Sequence, residues 1–170
     1  MHSFGIVVSK EFQNIIFVKN EDGYKRLIKI STKANVDFFN SFPRMSYEYL
    51  LSEWSSDDLV LGIPFYDSFL ARNTMTMNQC IPTFVNIFKP VVLLEDNDLP
   101  FDQPLRRKAE EFARANSLEI VESQTVYYEK PEDFLAYQAF RCTDRVGGRQ
   151  RTYRNPNLDH FGSKSFCFHD

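Results

Sequence analysis

The chain has no cysteine framework to staple it: Cys80, Cys142 and Cys167 are odd in number and widely spaced over 170 residues. That excludes a small disulfide-held domain and fits a reducing compartment. No apolar run reaches the ~18 residues that a membrane span needs. The opening MHSFGIVVSKEF lacks the basic start and long apolar stretch of a secretion signal, so a cytoplasmic location is expected. No Gly-rich phosphate loop of either common type occurs. Neither Ser68 nor Ser123 sits in a Gly-x-Ser-x-Gly turn, which removes the support for a hydrolase elbow. A formal net charge of -3 argues against a wholly basic nucleic-acid coat while leaving room for a local patch. There is no internal repeat and no low-complexity linker.

Aromatic residues are abundant instead. Seventeen Phe and eight Tyr, in a chain that is 43% hydrophobic, supply the apolar surface for one packed domain and argue against disorder. Short β-branched runs at residues 4–9 (FGIVVS) and 15–18 (IIFV) read as strands. Asn20 with Glu21 and Asp22 then signals a helix start, and Tyr24, Leu27, Ile28 and Ile30 follow at roughly helical spacing. Ser46 caps a second short helix over residues 46–54, with Glu48 in its first turn. Residues 58–65 (DLVLGIPF) and 90–95 (PVVLLE) are near-continuous apolar runs of the parallel-sheet type. The spacing predicts the clearest helix over residues 102–117, with Leu105, Ala109, Phe112 and Ala113 on one face. A strand at 118–121 and a helix at 131–141, opened by Pro131, complete an alternation that predicts a single α/β domain. The expected organisation is one domain over residues 1–145, with an irregular Arg- and Phe-rich segment, 146–170, packed on it.

Four blocks carry a family resemblance. Residues 17–27 (FVKNEDGYKRL) are similar to a Leu-Ala-Lys-Asn-Glu-Glu-Gly-Tyr-Arg-Asn-Leu block, and Pro43-Arg44-Met45 is similar to a Lys-Pro-Arg-Ile/Val block. Leu93-Leu94-Glu95 through Asp98-Leu99-Pro100, with the following helix, matches a strand, a His-Gly-Leu-Pro turn and a helix. Residues 154–157 and 166–168 resemble a segment leading into a polymerase palm. In this order, and with Pro131-Glu132-Asp133 opening a helix after residues 113–130, the chain resembles the PHP (polymerase and histidinol phosphatase) domain of bacterial replicative, C-family DNA polymerase III alpha subunits. The resemblance implies a partial or remodelled PHP-like (β/α) barrel, shortened at its front because no His-x-His strand is found.

The same resemblance places metal ligands at positions that here read Val7, Gln13, Pro64, Thr125 and Tyr127. Cations of this kind need carboxylate, imidazole or thiolate donors, and no His or Cys lies within reach of these positions. The implied protein is therefore a pseudoenzyme with no metal and no cofactor, associated with DNA replication and acting by protein binding. It would be a split-polymerase piece or a repurposed, phage-encoded remnant, its partner a polymerase, another replication protein or a second copy, with no membrane role. A barrel without its first units leaves an open sheet edge and bare apolar faces, which is a physical reason for association.

Other residues open other readings. Arg141, Arg145, Arg149, Arg151 and Arg154, with Gly147, Gly148 and Tyr153 among them, could track phosphates and stack a base, dock a protein, or form an inert solvated loop. Glu95, Asp96 and Asp98 at the end of a strand could hold Mg²⁺ or act as acid and base; the plainer reading is a polar turn. A rebuilt metal-dependent phosphoesterase would draw on Glu95, Asp98, His160 and His169. The cluster Asp159, His160, Cys167, His169 and Asp170 departs from ordinary zinc spacing, and His2 reads as a surface residue. Phe38, Phe39, Phe42, Phe65, Tyr66 and Phe69 are either core or an aromatic partner surface.

Overall fold

The computed structural model describes residues 13–37, 43–66, 68–76, 81–141, 145–146, 149–150 and 163–168. The first strand, β1 (Ile15–Val18), runs into helix α1 (Glu21–Val36) through the cap foreseen in the sequence: the Asn20 side chain accepts from the Gly23 amide at 2.8 Å. Of the apolar residues on α1, Ile30 is buried, while Tyr24 and Ile28 remain exposed. Gly23 is buried for a steric reason. A Cβ there would lie 2.3 Å from the Asp58 carbonyl oxygen, so the helix approaches the next strand only at a residue without a side chain. Asp58 answers this contact with its carboxylate, which accepts from Asn20 Nδ2 at 3.0 Å and from Arg26 Nε at 2.9 Å.

Helix α2 (Tyr47–Glu53) begins at Ser46, whose Oγ accepts from the Tyr49 amide at 3.3 Å. Strand β2 (Leu59–Ile63) pairs antiparallel with β1, with Ile15 opposite Gly62 and Val18 opposite Leu59. Two helices then intervene, α3 (Phe69–Thr76) and α4 (Phe84–Phe88), before strand β3 (Val91–Leu94) returns parallel to β2. Helix α5 (Asp102–Ala115) leads to β4 (Ile120–Glu122), parallel to β3 with Val92 opposite Ile120. A single 3-10 turn (Pro131–Asp133) precedes helix α6 (Phe134–Arg141). Strands β5 (Arg145–Val146) and β6 (Arg149–Gln150) form a small antiparallel pair.

The sheet order is β1-β2-β3-β4. Among the described residues the sheet is open, with β1 and β4 as its edges; the expected partial or remodelled (β/α) barrel is shown only as far as its α/β class, and no closed barrel forms. The α/β reading itself stands, because three parallel strands are joined by helical crossovers as βαβ units require. One face of the central strands is fully buried, with Leu59, Leu61, Ile63, Val92 and Leu94 each at most 2% exposed, and on the other face Gly62 and Leu93 are buried while Val60 and Val91 are partly so, which fits their unbroken apolar runs. Leu105, Ala109 and Ala113 of α5 close one side of this core, with Phe69, Phe84 and Val85 from α3 and α4. Phe65 and Phe69 thus belong to the core and not to a partner surface, while Phe38, Phe39 and Phe42 lie outside the described residues. A smaller cluster, Leu99, Tyr128, Phe166 and Cys167, sits beyond the strand ends, with Tyr66, Phe101, Phe134 and Tyr137 packed against it. Among the described residues no helix is long and apolar enough to cross a membrane.

Candidate functional site

In an open α/β sheet, the crevice beyond the carboxyl ends of the parallel strands is where ligands usually bind. Here that region holds a buried polar network centred on Asn97. After β3 the chain turns sharply through Glu95, Asp96, Asn97 and Asp98, the last in a left-handed conformation (φ 57°) that Asp tolerates better than most residues. The Asp102 carboxylate, in the first turn of α5, reaches back and accepts from the amides of Asn97 at 2.8 Å and Leu99 at 3.1 Å. Its charge is suited to that helix end.

Asn97 is fully buried and every group of its side chain is used. Its Nδ2 donates to Tyr66 Oη at 2.8 Å and to Glu95 Oε2 at 2.9 Å, and its Oδ1 accepts from Gln124 Nε2 at 2.7 Å. Glu95 accepts as well from the Thr125 amide at 3.0 Å and from Thr125 Oγ1 at 2.9 Å. Burial pushes the Tyr66 phenol far above its ordinary value, and the carboxylates of Asp102 and Glu95 reinforce the rise. Tyr66 therefore stays protonated at any physiological pH and serves as a hydrogen-bonding group, not as a base. Asp102 Oδ1 is buried without a hydrogen bond of normal geometry, although its charge still bears on that phenol.

The network also fastens residues 163–168 to the sheet. Gln124 Nε2 donates to the Ser165 carbonyl at 2.8 Å, Ser163 Oγ donates to the Asn97 carbonyl, and Ser165 Oγ donates to Asp98 Oδ2 at 2.6 Å. The Tyr127 amide donates to the Phe166 carbonyl at 3.0 Å, and Tyr128 Oη to the Ser163 carbonyl at 3.2 Å. Tyr127 itself is sandwiched, its ring 5.1 Å from both Tyr137 and Phe166, at 7° and 26° to them.

This geometry bears on the metal question. Pro64 follows β2 and offers no side-chain donor, Thr125 spends its hydroxyl on Glu95, and the Tyr127 ring lies between two aromatic faces. Gln13 is exposed ahead of β1, and Val7 lies outside the described residues. These residues do not fit the cation that the resemblance implies. Among the described residues no three His, Cys, Asp or Glu side chains gather as a metal-binding group.

Of the remaining sequence candidates, Glu95 is buried and engaged, while Asp96 and Asp98 are exposed, so the three do not converge as a carboxylate cluster. Asp96 accepts from Gln103 Nε2 at 3.0 Å. Cys167 is buried, its Sγ donating to the Lys164 carbonyl at 3.5 Å. His160, His169, Asp159 and Asp170 lie outside the described residues, as do His2, Arg151, Tyr153 and Arg154. Arg141 ends α6, and Arg145 and Arg149 lie on β5 and β6, where Arg145 faces Gln150 in register and Val146 faces Arg149. The sequence reading missed Tyr66, Asn97, Asp102, Gln124, Ser163 and Ser165 as a set. An Asp at the start of a helix, just after an Asn-Asp turn, was the one local signal available for part of it.

No family model matches the chain. Among curated proteins it is similar to DNA polymerase III subunit alpha of Aquifex aeolicus (strain VF5), with 28% identity over 130 residues. That match covers 72% of this chain and 11% of the polymerase subunit, so the chain spans about a tenth of the relative it matches.

Proposed function

We propose that this chain is a non-catalytic, PHP-like protein associated with DNA replication, acting by binding another protein. The similarity to a polymerase III alpha subunit supports the replication setting. The observation that carries the non-catalytic part is the fate of the implied metal positions. Thr125 is a hydrogen-bonding strut to Glu95, and Tyr127 fills an aromatic sandwich. Exposed apolar side chains at both sheet edges, Ile15, Phe17 and Val18 on β1 and Ile120 and Val121 on β4, support a binding role. A polymerase chain or another replication protein is the partner class, and a split-polymerase piece or a repurposed, phage-encoded remnant is the implied origin.

The rebuilt phosphoesterase gains nothing from the geometry, because Glu95 and Asp98 are occupied by Thr125, Asn97 and Ser165. Nucleic-acid binding is favoured by one observation: Arg145 and Arg149 lie on the antiparallel pair of β5 and β6, which brings two basic residues of the Arg-rich segment close together. Titrating the purified chain with Mn²⁺, Zn²⁺ and short DNA, alongside a phosphomonoester assay, separates the three. The proposal expects no stoichiometric metal, no turnover and no tight DNA binding. Bound metal with turnover would overturn it. Salt-sensitive DNA binding lost in Arg149→Ala would shift the function to the β5–β6 pair.

A further inference from the structure

Residues 163–168 return to the strand ends from far along the chain: their hydrogen bonds to Asn97, Asp98, Gln124 and Tyr128 span 35 to 67 residues. The surface that receives them is held by bonds in which they take no part. Asp102 fixes the amides of Asn97 and Leu99, the Asn97 side chain is bonded to Tyr66, Glu95 and Gln124, and Thr125 is bonded to Glu95. The segment sits on walls that keep their own shape, as a ligand sits on a preformed site.

Its contacts are those of a bound peptide. Three carbonyls accept: Ser163 from Tyr128 Oη at 3.2 Å, Ser165 from Gln124 Nε2 at 2.8 Å and Phe166 from the Tyr127 amide at 3.0 Å. Two hydroxyls donate, Ser163 Oγ to the Asn97 carbonyl and Ser165 Oγ to Asp98 Oδ2. One aromatic ring anchors the segment: Phe166 is fully buried, its centroid 5.1 Å from that of Tyr127 and 6.2 Å from that of Tyr66. Lys164, between the two serines, is exposed.

We propose that the crevice beyond the strand ends is a peptide-binding groove, occupied in cis by residues 163–168. When the cis segment leaves, the groove takes a segment of a partner protein with the same order: hydroxyl, any residue, hydroxyl, aromatic. Bonds to main-chain carbonyls hold a peptide of any sequence, while the two hydroxyl acceptors and the aromatic pocket select among sequences. The walls account for that order. Asp98 Oδ2 and the Asn97 carbonyl accept, so each needs a donor opposite, which Ser or Thr provides. The pocket stacks its occupant on Tyr127, which calls for an aromatic ring. Tethering gives the cis segment an effective concentration on the order of millimolar, so it acts as an autoinhibitory cover against weak competitors. This inference deepens the protein-binding reading and rests on it for the class of partner.

The test is fluorescence anisotropy with a labelled, amidated peptide of residues 163–168 (Ser-Lys-Ser-Phe-Cys-Phe), titrated with the full chain. Phe166→Ala in the protein removes the anchor of the cis segment and leaves the walls intact. That variant should bind the peptide at least about tenfold more tightly than the wild type, whose own segment competes. A peptide carrying Phe166→Ala should bind neither protein. Circular dichroism checks the fold; if the Phe166→Ala protein has lost it, Ser165→Ala takes its place. That change removes the bond to Asp98, keeps the buried ring, and should raise peptide affinity by about threefold. A folded variant that binds the peptide no more tightly than the wild type, or a Phe166→Ala peptide that binds as well as the native one, overturns the inference. The titration is independent of any replication partner, so its failure is distinguishable from failure to capture one.

Discussion

Asn97 is the residue on which the strand-end network depends. Among the described residues it is the one side chain that touches Tyr66, Glu95 and Gln124 together, and its amide is held by Asp102. Replacing it with Ala leaves the phenol, the carboxylate and the Gln124 amide short of buried partners. Such orphaned groups cost more than the net gain of the bonds that satisfied them. Asn97→Ala is expected to destabilise the fold by about 3 kcal/mol, read as a lower urea midpoint with an unchanged slope. Nothing in the sequence announces this role, since Tyr66 and Gln124 lie about thirty residues away on either side and only tertiary structure joins them. What could be read locally was the identity of Thr125 and Tyr127 as poor ligands, because that follows from side-chain chemistry alone. Where those side chains point could not be read, because Tyr137 and Phe166 reach Tyr127 from other elements.

Elements with strong local signals were legible. The caps at Asn20 and Ser46, the buried strands β2 and β3, and the amphipathic α5 fall where periodicity and capping put them. Helix α4 escaped because Phe84-Val85-Asn86-Ile87-Phe88 is β-branched and aromatic, and packing of Phe84, Val85 and Phe88 overrides that preference. Helix α3 had an overlooked start, Ser68, whose Oγ accepts from the Ala71 amide at 3.2 Å. The contact between α1 and the start of β2 yields a pH prediction. Hydrogen bonds from Asn20, then Ser55 and Arg26, hold the Asp58 carboxyl below its ordinary value of 3.8. Since the folded value is the lower one, this contact stabilises the fold fully above pH 3.8 and loses its contribution as pH falls through the lowered value. Asp58→Asn should therefore be less stable than the wild type at neutral pH, with the gap closing in acid. A gap that stays constant across the acid range would show that Asp58 acts without its charge.

At the scale of the whole molecule, an open four-stranded sheet with apolar residues at both edges needs either cover or a partner. How far the sheet closes was not legible, because each strand's hydrophobic pattern fixes its burial but says nothing about closure. Pattern alone cannot supply strand count and shear. Similarity to part of a polymerase subunit supports the proposed setting, and the engagement of Thr125 with Glu95 and of Tyr127 with its aromatic neighbours supports the non-catalytic reading. Together they make binding, not turnover, the central claim.

The measurement that tests this claim most directly is quantitative affinity capture of the tagged full chain from its native cells, with in-cell cross-linking and mass spectrometry of bound chains. The account predicts enrichment of a polymerase or another replication protein, cross-linked to residues on β1 or β4. Recovery of unrelated proteins alone, with no replication chain cross-linked, would contradict it.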